Sequence, residues 1–270
     1  MSGWRLTLRQ APAVRVDLRG VLPSALVGLS AAQVGQLPVG HGNALVPLAE
    51  FFDVQAGGAD DTLALAGDLS RFDRVGWQMG SGRLTVDGPT GHYAGGCMSG
   101  GELRVQGDVG LLAACEMAGG LFTIEGNAGD FAASTLPGSM DGMRGGTLVV
   151  KGDVGERFGD RMRRGTALVF GNAGDFLASR MVAGSIALGG RAGAHAGYGM
   201  RRGSVVFATA APTIAPTFVP ALVDPAVFWQ LLARDLARHG GPFAALPSRS
   251  IVRHLGDLAS DGRGELIVAR

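Results

Sequence analysis

The side chains best suited to nucleophilic or metal chemistry are two cysteines, Cys97 and Cys115, and five histidines, His41, His92, His195, His239 and His254. No two histidines stand two or four residues apart, the spacing that sets a pair of imidazoles on one face of a strand or helix to hold a metal. They read as surface or locally hydrogen-bonded groups. Cys97 and Cys115 lie one and two residues before Met98 and Met117. They therefore do not stack as a pair, and they read as core or turn thiols. These spacings predict no catalytic residue and no metal site in this chain.

Arginine is the feature that architecture explains least. Arg161, Arg163 and Arg164 flank Met162, Arg201 and Arg202 follow Met200, and Arg144 and Arg180 adjoin Met143 and Met181. If these segments stack, seven guanidinium groups meet near one corner. One reading is a solvated face balanced by Asp141, Glu156, Asp160 and Asp175. The other is a docking face for a partner or an anionic tail, because guanidinium forks suit carboxylates. Asp130, Glu156 and Asp175 read as a second, wet edge of stacked acids. The 24 basic and 23 acidic residues leave a net charge of +1, so no global field recruits nucleic acid or a membrane surface. The start of the chain has no apolar signal core and no run reaches the ~20 apolar residues of a membrane span, so the expected compartment is the cytoplasm.

The elements that would position these residues follow from a repeat. Gly88, Gly107 and Gly126 are 19 apart, as are Gly152, Gly171 and Gly190, and the step between the two sets is 26, or 19 plus a seven-residue insertion. Gly82, Gly101, Gly120, Gly146, Gly165, Gly184 and Gly203 keep the same steps, and so do Met79, Met98, Met117, Met143, Met162, Met181 and Met200. Apolar pairs alternate before each first-column glycine, among them Leu84 with Val86, Leu103 with Val105, Phe122 with Ile124 and Leu148 with Val150. That is a strand of period two, repeated. A Gly-X-X-Gly corner follows, as at Gly107 with Gly110 and Gly171 with Gly174. A corner recurring in six coils with no helix after it is architecture, unlike the single phosphate-cradling loop it resembles. The methionine column reads as interior gap filling.

Nineteen residues are too few for a helix crossover but fit one turn of stacked strands and tight corners. The expected fold is all-β: a right-handed parallel β-helix of about seven 19-residue coils over 61–207. Its column glycines, Gly88, Gly107, Gly126, Gly152, Gly171 and Gly190, would sit where φ > 0 or close approach excludes a Cβ. Hexapeptide repeats would give 18 per coil and nonapeptide repeats multiples of nine, so neither fits. Residues 1–60 read as an α/β cap with strands over 5–8 and 14–18, a helix over 23–32 and a turn over 40–43. Over 208–270, Pro212, Pro216 and Pro220 imply an extended strap. An amphipathic helix then follows, capped by Asp224 and Pro225 and buried through Val227, Phe228, Leu231, Leu232 and Leu236. A turn and strand over 256–268 end the chain.

The columns from Gly67 to Phe207, just over half the chain, resemble the glycine-rich β-helix of two groups. One is the glutamate synthase C-terminal domain. The other is the C subunit of formylmethanofuran dehydrogenases, a group that includes the bacterial formyltransferase/hydrolase complex. The flanking cap and helix look like those of the C subunit. Among 24 basic residues only Lys151 is lysine, a composition that favours the bacterial complex over an archaeal molybdenum or tungsten enzyme. The resemblance implies a structural subunit beside sister A, B and D subunits, which release formate and transfer formyl from tetrahydromethanopterin. It implies a metal in a sister subunit, no cofactor on this chain alone, and a methanofuran-type carrier whose glutamate tail an arginine ladder would suit.

Overall fold

A computed structural model describes residues 3–222 and 226–270. The repeat dictates the ladder. Strands Thr62–Ala66, Arg83–Asp87, Ser99–Val105, Gly119–Ile124, Arg144–Val150, Arg164–Val169, Ser185–Leu188 and Ser204–Phe207 pair in parallel in chain order. Leu84 meets Leu103, Leu103 meets Phe122, Phe122 meets Leu148, Leu148 meets Ala167, and Ala167 meets Ile186. All six are fully buried. Successive repeats also meet along a second line of bridges, Leu69–Thr90–Val109–Ala128–Val154–Ala173–Ala192. A third line of backbone bonds includes Tyr93 N–H to the Leu111 carbonyl and Phe131 N–H to that of Glu156, each 2.8 Å.

The sheet is mixed, and its ends are antiparallel. Phe52–Ala56 lies antiparallel on Trp4–Leu8, which joins Thr62–Ala66 in parallel. At the far end Gly264–Ala269 continues the parallel run, followed by Ile251–Gly256 and the two-residue edge strand Val219–Pro220, both antiparallel. Pro220 supplies no ladder donor, which suits an edge.

The two glycine columns answer different demands. At Gly171 a Cβ would collide with Asp153 Oδ1 and lie 2.6 Å from the Gly152 carbonyl oxygen, so crowding by the preceding repeat excludes it. At Gly165 φ is +92° and the methyl of Met143 stands 3.0 Å from where a Cβ would be. The second column thus couples left-handed backbone to the methionine column, all seven of whose side chains are fully buried. Left-handed backbone is not confined to glycine: Arg157, Phe176 and His195 have φ of 56°, 60° and 61°. Arg157 and Phe176 are held by the neighbouring repeat, their N–H groups donating to the carbonyls of Asp175 and Ala194.

The flanks depart from expectation in several places, among them a hairpin, Pro38–His41 with Ala44–Pro47, around the turn expected over 40–43, and a strand of only Val16–Asp17 where 14–18 was expected. The helix expected over 23–32 is a 3-10 turn, Pro23–Leu26, and a separate α-helix, Ala31–Gly35. Gly28 at φ +79° breaks the first, and Ser30 with Gln33 forms a capping box that starts the second. A strand at Ile251–Gly256 was not expected. The C-terminal helix, Ala226–Ala237, buries Trp229, Ala233 and Leu236 and leaves Val227, Phe228 and Leu231 exposed, so most of the expected stripe faces outward. The buried face packs on outward-pointing Val149, Leu168, Ala187 and Val206. The expected cap of this helix, Asp224 and Pro225, lies outside the described residues.

Candidate docking site: an arginine notch

The two positions after each notch methionine, Met143, Met162, Met181 and Met200, lie at or just before the start of the next strand, and a backbone ladder fixes them one above the next. Arg163 N–H donates to the Met143 carbonyl, Val182 N–H to that of Met162, and Arg201 N–H to that of Met181, each at 2.8 Å. Arg144 pairs with Arg164 across the two strands, with a register shift before Thr147. Arg163 with Arg164 and Arg201 with Arg202 therefore form two ledges, and the repeat between them carries Val182 and Ala183. The small side chains leave a recess of about 540 Å³ lined by Arg144, Arg163, Arg164, Val182, Ala183, Arg201 and Arg202. Successive rungs stand ~4.8 Å apart, so the ledges are roughly 10 Å apart.

Two of the seven expected arginines lie elsewhere. Arg180 is committed to Asp160, with Nε and a terminal nitrogen 2.9 and 2.6 Å from its two oxygens. Ser179 Oγ also donates to this buried carboxylate at 2.6 Å. Arg161 stands one residue before Met162 at φ +57°, and its carbonyl accepts the N–H of Gly142. Of the expected counter-charges, Asp141 pairs with Arg163 at 2.5 Å. Glu116, to which the sequence pattern gave no role, stands 3.6 Å from Arg144. Among the described residues no carboxylate pairs with Arg164, Arg201 or Arg202. Five guanidinium groups thus face two carboxylates. Arginine does not deprotonate in proteins, so the notch is cationic at any physiological pH and its field is cut by salt.

No family model matches the chain. It is 43% identical over 86 residues to the C subunit of the formyltransferase/hydrolase complex of Methylorubrum extorquens, covering 32% of each chain. It is 34% identical over 87 residues to the C subunit of a molybdenum-containing formylmethanofuran dehydrogenase of Methanosarcina barkeri, covering 31% of this chain and 29% of that one. The matched stretch thus spans about a third of the length of these curated relatives. A solved structure, the formyltransferase/hydrolase complex from Methylorubrum extorquens in complex with methylofuran, holds a chain that is 41% identical and superposes with a TM-score of 0.91. The overlap covers 98% of this chain and 99% of that one. The chain belongs to the C-subunit family of these complexes.

In this family member the other chemistry-bearing residues are placed as follows. Burial first, then Glu116, pushes the Cys97 thiol up, and burial pushes Cys115 up further, so both are protonated thiols at neutral pH. Among the described residues no three His, Cys, Asp or Glu side chains converge to hold a metal ion. No helix among them is long and apolar enough to cross a membrane.

The acidic edge carries out a task beyond solvation. Asp130 accepts the Glu156 N–H at 2.8 Å and Asp175 the Ala194 N–H at 2.7 Å, each carboxylate tying its repeat to the next. Asp108, Asn127, Asp153 and Asn172 do the same one corner away, accepting the N–H groups of Asn127, Asp153, Asn172 and Arg191. Asp and Asn alternate there, so each charge stacks on an amide. Asn172 Nδ2 also donates to Asp153 Oδ1 at 3.1 Å. The Asp-Asn-Asp-Asn alternation is visible in the sequence.

His92 is the odd member of this set. Its Nδ1 accepts the Leu111 N–H at 3.0 Å, so the ring must be neutral. Its backbone N–H donates to Asp73, which Arg15 clasps at 2.7 Å. Burial, then the Arg15 guanidinium, lowers the His92 pKa below its ordinary 6.5, against an opposing pull from Asp73. The folded chain therefore binds this proton less readily than the unfolded one. Its stabilisation is complete above about pH 6.5 and is lost as pH falls. His92→Asn keeps an acceptor at the same bond distance without a titration. Its melting temperature is expected to fall less than the wild type's between pH 7.5 and 5.5. Parallel melting curves for the two proteins would contradict the neutral-acceptor role.

Proposed function

We propose that this chain is the non-catalytic C subunit of a formyltransferase/hydrolase complex. That complex converts formyl-tetrahydromethanopterin to formate through a methanofuran-type formyl carrier in one-carbon oxidation. The observation that carries this reading is the near-complete overlap with a chain of the methylofuran-bound complex. Its partners are the A, B and D subunits, with the hydrolytic metal in a sister subunit. The higher identity to the bacterial subunit, 43% against 34%, favours this complex over a molybdenum or tungsten dehydrogenase. We read 61–207 as a right-handed parallel β-helix of about seven coils, capped by 1–60 and strapped by 208–270.

The notch is assigned to the carrier's polyglutamate tail. Two arginine ledges can each take a carboxylate in a bidentate fork, and the small side chains between them leave room for the tail to pass. Replacing Arg144, Arg163, Arg164, Arg201 and Arg202 by Gln is expected to leave the complex assembled. The apparent KM for a long-tailed carrier should rise at least about tenfold, since several exposed pairs of about 0.2–1 kcal/mol each are lost together. A carrier lacking its glutamates should be turned over unchanged, and salt should raise KM only for the long one. Loss of assembly would make the notch a subunit interface, and equal KM values would make it a solvated face.

A further inference from the structure

The insertion that breaks the 19-residue step, 136–142, is tied to the notch at both ends. Glu116 stands beside Arg144 and also accepts the Leu136 N–H that opens the insertion, at 3.3 Å. At the other end Asp141 holds Arg163 at 2.5 Å, with its own N–H on Ser139 Oγ. Gly142 then returns the chain by donating to the Arg161 carbonyl. Both carboxylates that pair with notch arginines therefore also help to fasten this insertion, beside the Gly142 backbone bond. Both arginines are half-exposed, so a ligand reaches them without unfolding anything.

We infer that Asp141 and Glu116 are internal stand-ins for the anionic ligand: they occupy two notch arginines until a polycarboxylate displaces them, and displacement loosens the insertion. This rests on the notch binding an anionic chain. Polycarboxylate occupancy is then coupled to the state of the 136–142 segment, whose Met140 is 61% exposed and free to be read by a partner. A monoanion gains little, because it meets the same competition with one carboxylate.

The test is titration of the full-length chain with hexaglutamate at low salt, comparing wild type, Asp141→Asn and Glu156→Gln. Glu156 is exposed and outside the notch, so its variant controls for net charge. Asp141→Asn is expected to tighten binding about two- to fivefold, the factor carried by one exposed ion pair. Glu156→Gln should stay at the wild-type value. Saturating wild type with hexaglutamate should also speed amide exchange over 136–142. Equal affinities for the two variants, or unchanged exchange, would overturn this inference and leave the notch reading standing. Failure of the wild type to bind hexaglutamate would overturn both.

Discussion

Val150→Asp is expected to prevent folding altogether. Val150 is fully buried and sits between Ile124 and Val169 in the parallel ladder, with no polar partner in that column. A carboxylate there must be ionised and unpaired or protonated and unsatisfied, a loss of more than about 4–5 kcal/mol. Total stabilities of about 5–15 kcal/mol leave little after that. Because every repeat rests on the next, damage in the middle of the ladder reaches both flanks. The check is solubility and circular dichroism of the variant beside Thr123→Asp, whose side chain points away from the interior. A soluble Val150→Asp protein with a cooperative transition would mean that the strand faces are reversed.

Gly171→Val should be the next most damaging change, although φ at this position is not left-handed. Its Cβ would collide with the Gly152 carbonyl and with the Asp153 carboxylate that ties the two repeats together. Backbone on one side and a hydrogen-bonded staple on the other cannot both move aside. The expected cost is about 3 kcal/mol or more, roughly 6–12 °C in melting temperature for a chain of this size. Ala173→Ser, two residues on, should cost under about 1 kcal/mol. Similar melting temperatures for the two would contradict close approach as the reason for the glycine column.

What the sequence made legible was whatever depends on local period. The inward columns, the methionine ladder and the insertion follow from spacing alone, and the pairings of Leu84, Leu103 and Phe122 match it. The buried face of the helix was not legible, because Ala226–Ala237 is apolar nearly all round and two stripes compete. The deciding signal lay elsewhere, in Leu148-Val149-Val150 and Ala167-Leu168-Val169. Unbroken apolar runs there mean burial on both sheet faces, and hence a covering element. The left-handed Arg157 and Phe176 are fixed by hydrogen bonds between repeats, which no single repeat displays. The arginine corner was visible as seven residues. Its shape was not, because it depends on Asp160 withdrawing Arg180 and on Val182 and Ala183 interrupting the ladder.

Membership of a four-subunit assembly is the central claim, and native purification tests it most directly. A tagged copy of this chain, expressed in its own host and isolated at moderate salt, should carry with it three further proteins in fixed ratio, identified by mass. They should be a metallohydrolase subunit, a formyltransferase subunit and the remaining sister subunit, and the eluate should release formate from formyl-tetrahydromethanopterin. Elution of the chain by itself, or with molybdenum- or tungsten-bearing redox subunits in place of the hydrolase, would contradict that membership.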